Sequence, residues 1–200
     1  QIVSSSSTEI VVTASFENVL VDQTGAVDIT LDNGQLVTRA NAWTNRIPGH
    51  IDLVSPSSGQ HGTVVEITGT ELWGYGSEAI AVTLGGVTPD EVRVDTNTRI
   101  VVVAGASAAV DGDVVIVSDS GAIVSLASGW SYVATAVISN VSPGTGQLNT
   151  VVTITGSNLR GGASSITQVT LSGQPVAEIV SEDESTVVVV ADDANRYNTC

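Results

Sequence analysis

Lysine and methionine are missing from this chain of 200 residues, and cysteine and phenylalanine occur once each. Six arginines supply all the basic side chains against 21 acidic ones, for a formal charge of −15. That balance excludes nucleic acid, whose phosphates are held by neutralising Lys and Arg. It excludes an anionic membrane surface on the same ground. No apolar run approaches 18 residues, so no helix inserts directly into a bilayer. With Cys200 as the single cysteine, no intrachain disulfide staples the fold. A terminal cysteine leaves two alternatives, pairing between subunits or merely the point where this sequence stops. A start at Gln1, no Lys and many Ser and Thr suit a secreted, processed protein, or else a part of something longer.

What is present is β-forming. The chain is 42% hydrophobic and rich in β-branched residues, enough to bury a core. Short apolar or alternating runs, punctuated by Gly, Asp and Asn, predict strands and almost no helix. Early candidates are Glu9–Ala14, Ala26–Leu31, Gln35–Arg39, Ile51–Ser55, Thr63–Gly69 and Ala79–Leu84. Glu91–Val94, Arg99–Ala104, Asp113–Ser118, Ala122–Leu126 and Gly129–Val133 follow. The last set is Ala136–Ser142, Thr150–Gly156, Ser165–Leu171, Ala177–Val180 and Ser185–Ala191. Asp32-Asn33-Gly34 and Asp119-Ser120-Gly121 read as hairpin turns, since Asn and Gly tolerate positive φ. So many short strands predict an all-β fold of sandwiches or barrels.

The sequence repeats itself at an offset of 87. "IDLVSPSSGQHGTVVEITGTEL" from Ile51 returns without a gap as "ISNVSPGTGQLNTVVTITGSNL" from Ile138. Pro56 meets Pro143, Gly69 meets Gly156, Leu84 meets Leu171, and "RIVVVA" at Arg99 meets "TVVVVA" at Thr186. The offset also runs backward: "GAVDITLDNGQLVTRANAW" at Gly25 aligns with "GDVVIVSDSGAIVSLASGW" at Gly112, so Trp43 meets Trp130. Trp73 has no like residue in the second copy, where Arg160 stands.

The repeat phase predicts a complete domain over 51–137 and an incomplete one over 138–200 that lacks its last strands. Residues 1–50 are then a complementary fragment carrying those strands. Residues 138–200 and 25–50 together hold 89 residues against a period of 87. An incomplete sandwich exposes sheet edges and apolar surface, and strand addition from another chain is the physical remedy. The expected contact is head-to-tail and self-propagating. It places Val27, Ile29, Leu31, Leu36, Val37 and Trp43 of one chain against Ile154, Leu171, Val188 and Val190 of the next. Closure within one molecule and a window cut from a longer array are the alternatives.

These motifs resemble the immunoglobulin-like, plexin and transcription-factor (IPT/TIG) domain. The resemblance rests on "VSPSSGQ" and "VSPGTGQ", "ITG" followed by Leu72 or Leu159, "VTLGGV" and "VTLSGQPV", and "SGWSYV". It implies immunoglobulin-like β-sandwiches in secreted or cell-surface proteins, with no enzyme made only of this fold. It also implies no DNA role, because the basic loops of DNA-binding members have no Lys here. Ile67, Ile154, Leu84, Leu171 and Trp130 are expected core residues, with Trp43 in the role of Trp130.

Catalytic signals are weak. His50 and His61 have no cysteine partner, no Gly-x-Ser-x-Gly elbow occurs, and Gly85-Gly86 and Gly161-Gly162 open no helix. Asp111 and Asp113, Asp192 and Asp193, and Glu182-Asp183-Glu184 offer oxygen ligands for Ca²⁺, yet none fits an EF-hand loop. No enzyme activity, cofactor or metal is expected. Asn140 heads an Asn-Val-Ser glycosylation sequon, Asn198 heads an Asn-Thr-Cys one, and Ser4–Thr8 suits O-linked glycans. Trp73 and Tyr75 in a Gly-rich loop suit contact with a sugar or with a partner domain. The leading expectation is an extracellular filament subunit. The alternatives are a spacer of a surface adhesin or receptor, and a carbohydrate-binding module.

Overall fold

The computed structural model describes residues 1–14 and 20–192, and every regular element described is a β-strand. Asp193, Asn198 and Cys200 therefore lie outside the described residues. The chain divides into two units, Gln1–Gly49 and His50–Cys200.

The first unit holds two hairpins. Strand β1 (Ile2–Ser5) pairs with β2 (Ile10–Val12), and β3 (Gln23–Thr30) pairs with β4 (Leu36–Asn45). The β3–β4 turn closes where expected: Gly34 takes φ +82°, and the Asn33 Oδ1 accepts the Gln35 N–H at 3.0 Å. None of the described residues of this unit is buried, and Val37 and Trp43 are 55% and 49% exposed. A two-stranded hairpin has no second layer to cover its apolar face, which is why these side chains remain open.

The second unit begins with a two-layer sandwich. Its strands are β5 (His50–Ser55), β6 (Ser58–Gly59), β7 (Val64–Thr70) and β8 (Ala79–Leu84). They continue as β9 (Glu91–Thr96), β10 (Arg99–Val103), β11 (Val110–Ser118) and β12 (Ile123–Tyr132). One sheet runs β5-β7-β10-β9 and the other β6-β12-β11-β8. Period-two alternation sends Val65 and Ile67 of β7, Ile100 and Val102 of β10, and Val114 and Ile116 of β11 into one core. Trp130 and Tyr132 close it edge to face, ring centroids 5.5 Å apart.

A second, smaller core follows. Strands β13 (Val137–Ser142), β14 (Val151–Ser157), β15 (Thr170–Leu171), β16 (Gln174–Pro175), β17 (Glu178–Glu182) and β18 (Thr186–Val190) form it. The sheet β13-β14-β18-β17 repeats the order and register of β5-β7-β10-β9. The opposing sheet shrinks to the two-residue strands β15 and β16. The expected strand Ser165–Leu171 is reduced to Thr170–Leu171, and the cause is its partner. β8, its counterpart, is bonded in its sheet to β11 alone, and no counterpart of β11 exists among the described residues here. Among the described residues only Val152, Ile154, Val187 and Val189 are buried in this core.

The inward pair on β18 is thus Val187 and Val189, 3% and 0% exposed, not the expected Val188 and Val190. The five-residue run of Thr and Val hides the alternation in sequence, but its repeat partners Ile100 and Val102 face inward too. Overall the architecture is all-β and immunoglobulin-like, with several small sheets.

Candidate functional site

The β7–β8 connection of the middle sandwich is tied to two neighbouring turns by side-chain hydrogen bonds. Gly69 opens it, because a Cβ there would collide with the His50 carbonyl oxygen and meet Leu72 Cδ2 at 2.7 Å. Leu72 is fully buried and anchors the loop from below. Glu71, Gly74 and Tyr75 then take φ of 49°, 51° and 65°, a left-handed stretch that only tight fixation maintains in two non-glycine residues.

Two neighbouring turns supply that fixation. From the β9–β10 side, Asp95 Oδ1 accepts the Trp73 indole N–H at 2.6 Å and Asn97 Oδ1 accepts the Trp73 backbone N–H at 3.0 Å. The Asn97 side-chain amide donates to Glu71 Oε2 at 2.8 Å. From the β11–β12 turn, Asp119 Oδ1 accepts the Ser77 N–H at 2.9 Å, and the Ser120 hydroxyl donates to the Gly74 carbonyl at 3.4 Å. The Ser77 backbone N–H is the main reason the Asp119 carboxyl lies below its ordinary value, aided by Ser118. The outcome is a rigid loop: Trp73 is half-buried and pinned, while Tyr75 is 44% exposed at its tip.

Arg160 occupies the Trp73 position in the second copy, and the structure gives it a like role. Arg160 Nε donates to Glu182 Oε2 at 2.8 Å, and Glu182 is the repeat partner of Asp95. Both loops are stapled by an N–H from this position to a carboxylate on the same strand. Arg160 is held more firmly charged by Glu182, chiefly through that hydrogen bond. The paired exchange of Trp and Asp for Arg and Glu was visible at the offset of 87, and is the signal that would have found Asp95.

The second loop serves a different surface. A Cβ on Gly162 would touch Val133 and Gly59 at 3.4 and 3.5 Å, so this loop packs on the middle sandwich. Gln60 Oε1 accepts the Ala136 N–H at 2.8 Å across the same junction. A crevice of about 630 Å³ lies there, walled by Gln60, His61, Thr63, Arg160 and Ser164, with no Phe, Tyr or Trp in its lining.

Other candidates fall into place individually. His50 Nδ1 pairs with Asp52 at 2.9 Å and His61 Nε2 with Asp90 at 2.7 Å, both pairs exposed. Asp111 accepts from the Ser131 hydroxyl, Asp113 from the Ser128 N–H, and Asp183 from the N–H groups of Ser185 and Thr186. Among the described residues no three His, Cys, Asp or Glu side chains gather as a metal site. Asn140 is exposed on β13. Of the expected interface residues, Ile154 is buried, Leu171 is half-buried, and Val27, Leu31, Leu36, Val37 and Trp43 are exposed.

The family model described as IPT/TIG domain matches residues 50–132 and 136–197. The chain belongs to the IPT/TIG family. Among curated proteins none matches it. Solved structures similar to this IPT/TIG chain include the SGBP-B protein of a Bacteroides ovatus mixed-linkage glucan utilization locus, solved with a mixed-linkage heptasaccharide. It is 16% identical at a TM-score of 0.34, over 84% of this chain and 43% of that one. SGBP-B from a complex xyloglucan utilization locus in Bacteroides uniformis is 20% identical at a TM-score of 0.31, over 75% and 44%. A surface glycan-binding protein from Prevotella bryantii is 9% identical at a TM-score of 0.31, over 86% and 37%. The chain spans about two fifths of the length of these three solved chains. The expected filament subunit and head-to-tail homopolymer are corrected at this point: these three structures carry the names of glycan-binding proteins, and none is named as a polymer subunit.

Proposed function

We propose that this IPT/TIG chain is a non-enzymatic glycan-binding module of an extracellular or cell-surface protein. The observation that carries the reading is Tyr75, an exposed aromatic ring at the tip of a loop fixed on both flanks before any ligand arrives. An aromatic face covers the apolar face of a sugar ring, and a pre-ordered loop lowers the entropy lost on binding. The names of the similar glycan-binding proteins agree with this reading. A charge of −15 disfavours uronate-rich or sulfated chains, so the ligand class is neutral polysaccharide.

Titration of the full chain with neutral β-glucan and xyloglucan oligosaccharides, beside heparin and pectin fragments, tests it. Neutral oligosaccharides are expected to bind, acidic ones not to, and Tyr75→Ala to weaken binding at least tenfold with an unchanged melting temperature. Absence of binding to any neutral glycan, or an unaffected Tyr75→Ala variant, overturns the proposal.

A spacer role is the second reading, supported by the junction at Gln60 and Ala136, which ties consecutive sandwiches through a side chain and not only through the linker.

A further inference from the structure

Asn140-Val141-Ser142 is the one Asn-x-Ser/Thr sequence in the chain, and its middle residue is not proline. In such a sequon the Asn side-chain amide accepts the sugar, and the hydroxyl two residues on completes the acceptor. Sequence leaves open whether that amide is presented to an enzyme. Asn140 and Ser142 lie opposite Thr155 and Thr153 of β14, while Val141 between them lies opposite the buried Ile154. Alternation therefore puts the amide and the hydroxyl together on the outer face of the sheet, about 7 Å apart along the strand. Both residues are exposed, and neither side chain has a hydrogen-bond partner among the described residues.

The middle sandwich supplies the control. Leu53 is the repeat partner of Asn140 and is 58% exposed, although its own sandwich is closed by hairpin β11–β12. This outer position thus stays open in a complete domain, and a substituent there displaces no core residue. The surrounding face changes along with it. In the middle sandwich Glu66 of β7 and Arg99 of β10 form an ion pair across the face. Their repeat partners are Thr153 and Thr186. Thr153, Thr155, Val188 and Ser181 then extend from Ser142 and Asn140 across the sheet, with hydroxyls and no charge among them. Leucine has given way to Asn where both charges have given way to Thr, which suits a polar, uncharged substituent.

We infer that Asn140 is an N-glycosylation site, modified as the chain enters the secretory route. The co-substrate is an oligosaccharide joined through pyrophosphate to a lipid. Asn140 Nδ2 bonds to the anomeric carbon of the first sugar as the bond from that carbon to the pyrophosphate oxygen breaks. The lipid pyrophosphate leaves with the electron pair, and one amide proton passes to a base. Nothing is oxidised or reduced.

The glycan stands on the outer face of β13, a strand with a sheet neighbour on one side only. A bulky, hydrated group at that edge hinders edge-to-edge pairing with another chain. The site is independent of any ligand at Tyr75.

The test secretes the full chain from a eukaryotic cell line and maps its glycopeptides. A glycan is expected on Asn140, released by peptide-N-glycosidase with incorporation of heavy oxygen from labelled water at that position. Asn198 heads an Asn-x-Cys sequon, so the peptide map and not the whole mass assigns the site. Asn140→Gln should abolish the modification, Ser142→Ala should lower occupancy at least tenfold, and Ser142→Thr should preserve it. Amide exchange at Val152 and Val189, whose side chains face the core, should be the same in the glycosylated and the enzymatically released chain. An unmodified Asn140 in the secreted chain overturns the inference, and so does occupancy that survives Ser142→Ala. A tenfold change in exchange of the core amides on release would also overturn it, since the glycan would then not stand on the outer face.

Discussion

Trp130 and Tyr132 are almost fully enclosed, and neither the indole N–H nor the phenol oxygen meets a hydrogen-bond partner among the described residues. Their edge-to-face packing therefore stabilises the core by area and ring geometry alone. Burial, with some help from the Asp90 charge, raises the Tyr132 phenol above its ordinary pKa, so the hydroxyl stays neutral throughout the physiological range. Tyr132→Phe removes an unsatisfied hydroxyl and should leave stability unchanged or raise it by up to about 1 kcal/mol. Trp130→Ala should cost about 3–5 kcal/mol. Chemical denaturation of the two variants separates ring packing from hydroxyl chemistry. Asp119 offers a pH test. Its pKa is lowered in the fold, chiefly by the Ser77 N–H, so its contribution is complete above the ordinary carboxylate value and fades as pH falls through the lowered one. Asp119→Asn should be less stable than wild type at pH 6, and the gap should close towards pH 2 in paired thermal melts. At this scale the sequence was partly legible. Tyr75 and Trp73 stood out as aromatics in a Gly-rich loop, while Asp95, Asn97 and Asp119 did not, because which carboxylate meets which N–H depends on turns brought together from distant strands.

Strands were the most legible level. Periodicity places Ala79–Leu84 without error and most others within one to three residues. One failure has a clear cause: strand formation is cooperative with a neighbour, and sequence does not say whether the neighbour is there. Ser165–Leu171 has the pattern of β8 but only its last two residues are in a strand. β6, two residues long, is defined entirely by its pairing with β12. The Gly69 and Gly156 positions show the opposite case, where a small residue is fixed by close approach. At each, a Cβ would run into a carbonyl oxygen, of His50 or of Val137, beneath the following leucine. Gly69→Ala and Gly156→Ala should each destabilise by about 1–3 kcal/mol, through forced separation of β5 from β7 or β13 from β14. Loss of exchange protection confined to those pairs would locate the damage.

At the scale of the molecule, the offset of 87 was the clearest signal in the sequence, and it led to the family directly. It could not lead to the partner, since the same phase fits strand exchange, a longer array and a closed monomer alike. The junction within the second unit was also invisible, because its side-chain tie, Gln60 to Ala136, links residues far apart in sequence. Gln60→Ala should leave the melting temperature of the middle sandwich within about 1 °C yet speed exchange of the Ala136 amide at least tenfold. Residual dipolar couplings of the variant should show the two cores reorienting more freely.

The two-residue strand β6 has one more consequence. It joins the entry region of the middle sandwich to its exit strand in parallel, reinforced by the Ser131 N–H to Ser57 and the Val133 N–H to Gly59. If a surface protein is pulled from its ends, these bonds are loaded together in shear and must break as a group before the sandwich extends. Under tension the middle sandwich would hold until this clasp gives way as a unit, so its mechanical resistance is concentrated in a contact of only two strand residues.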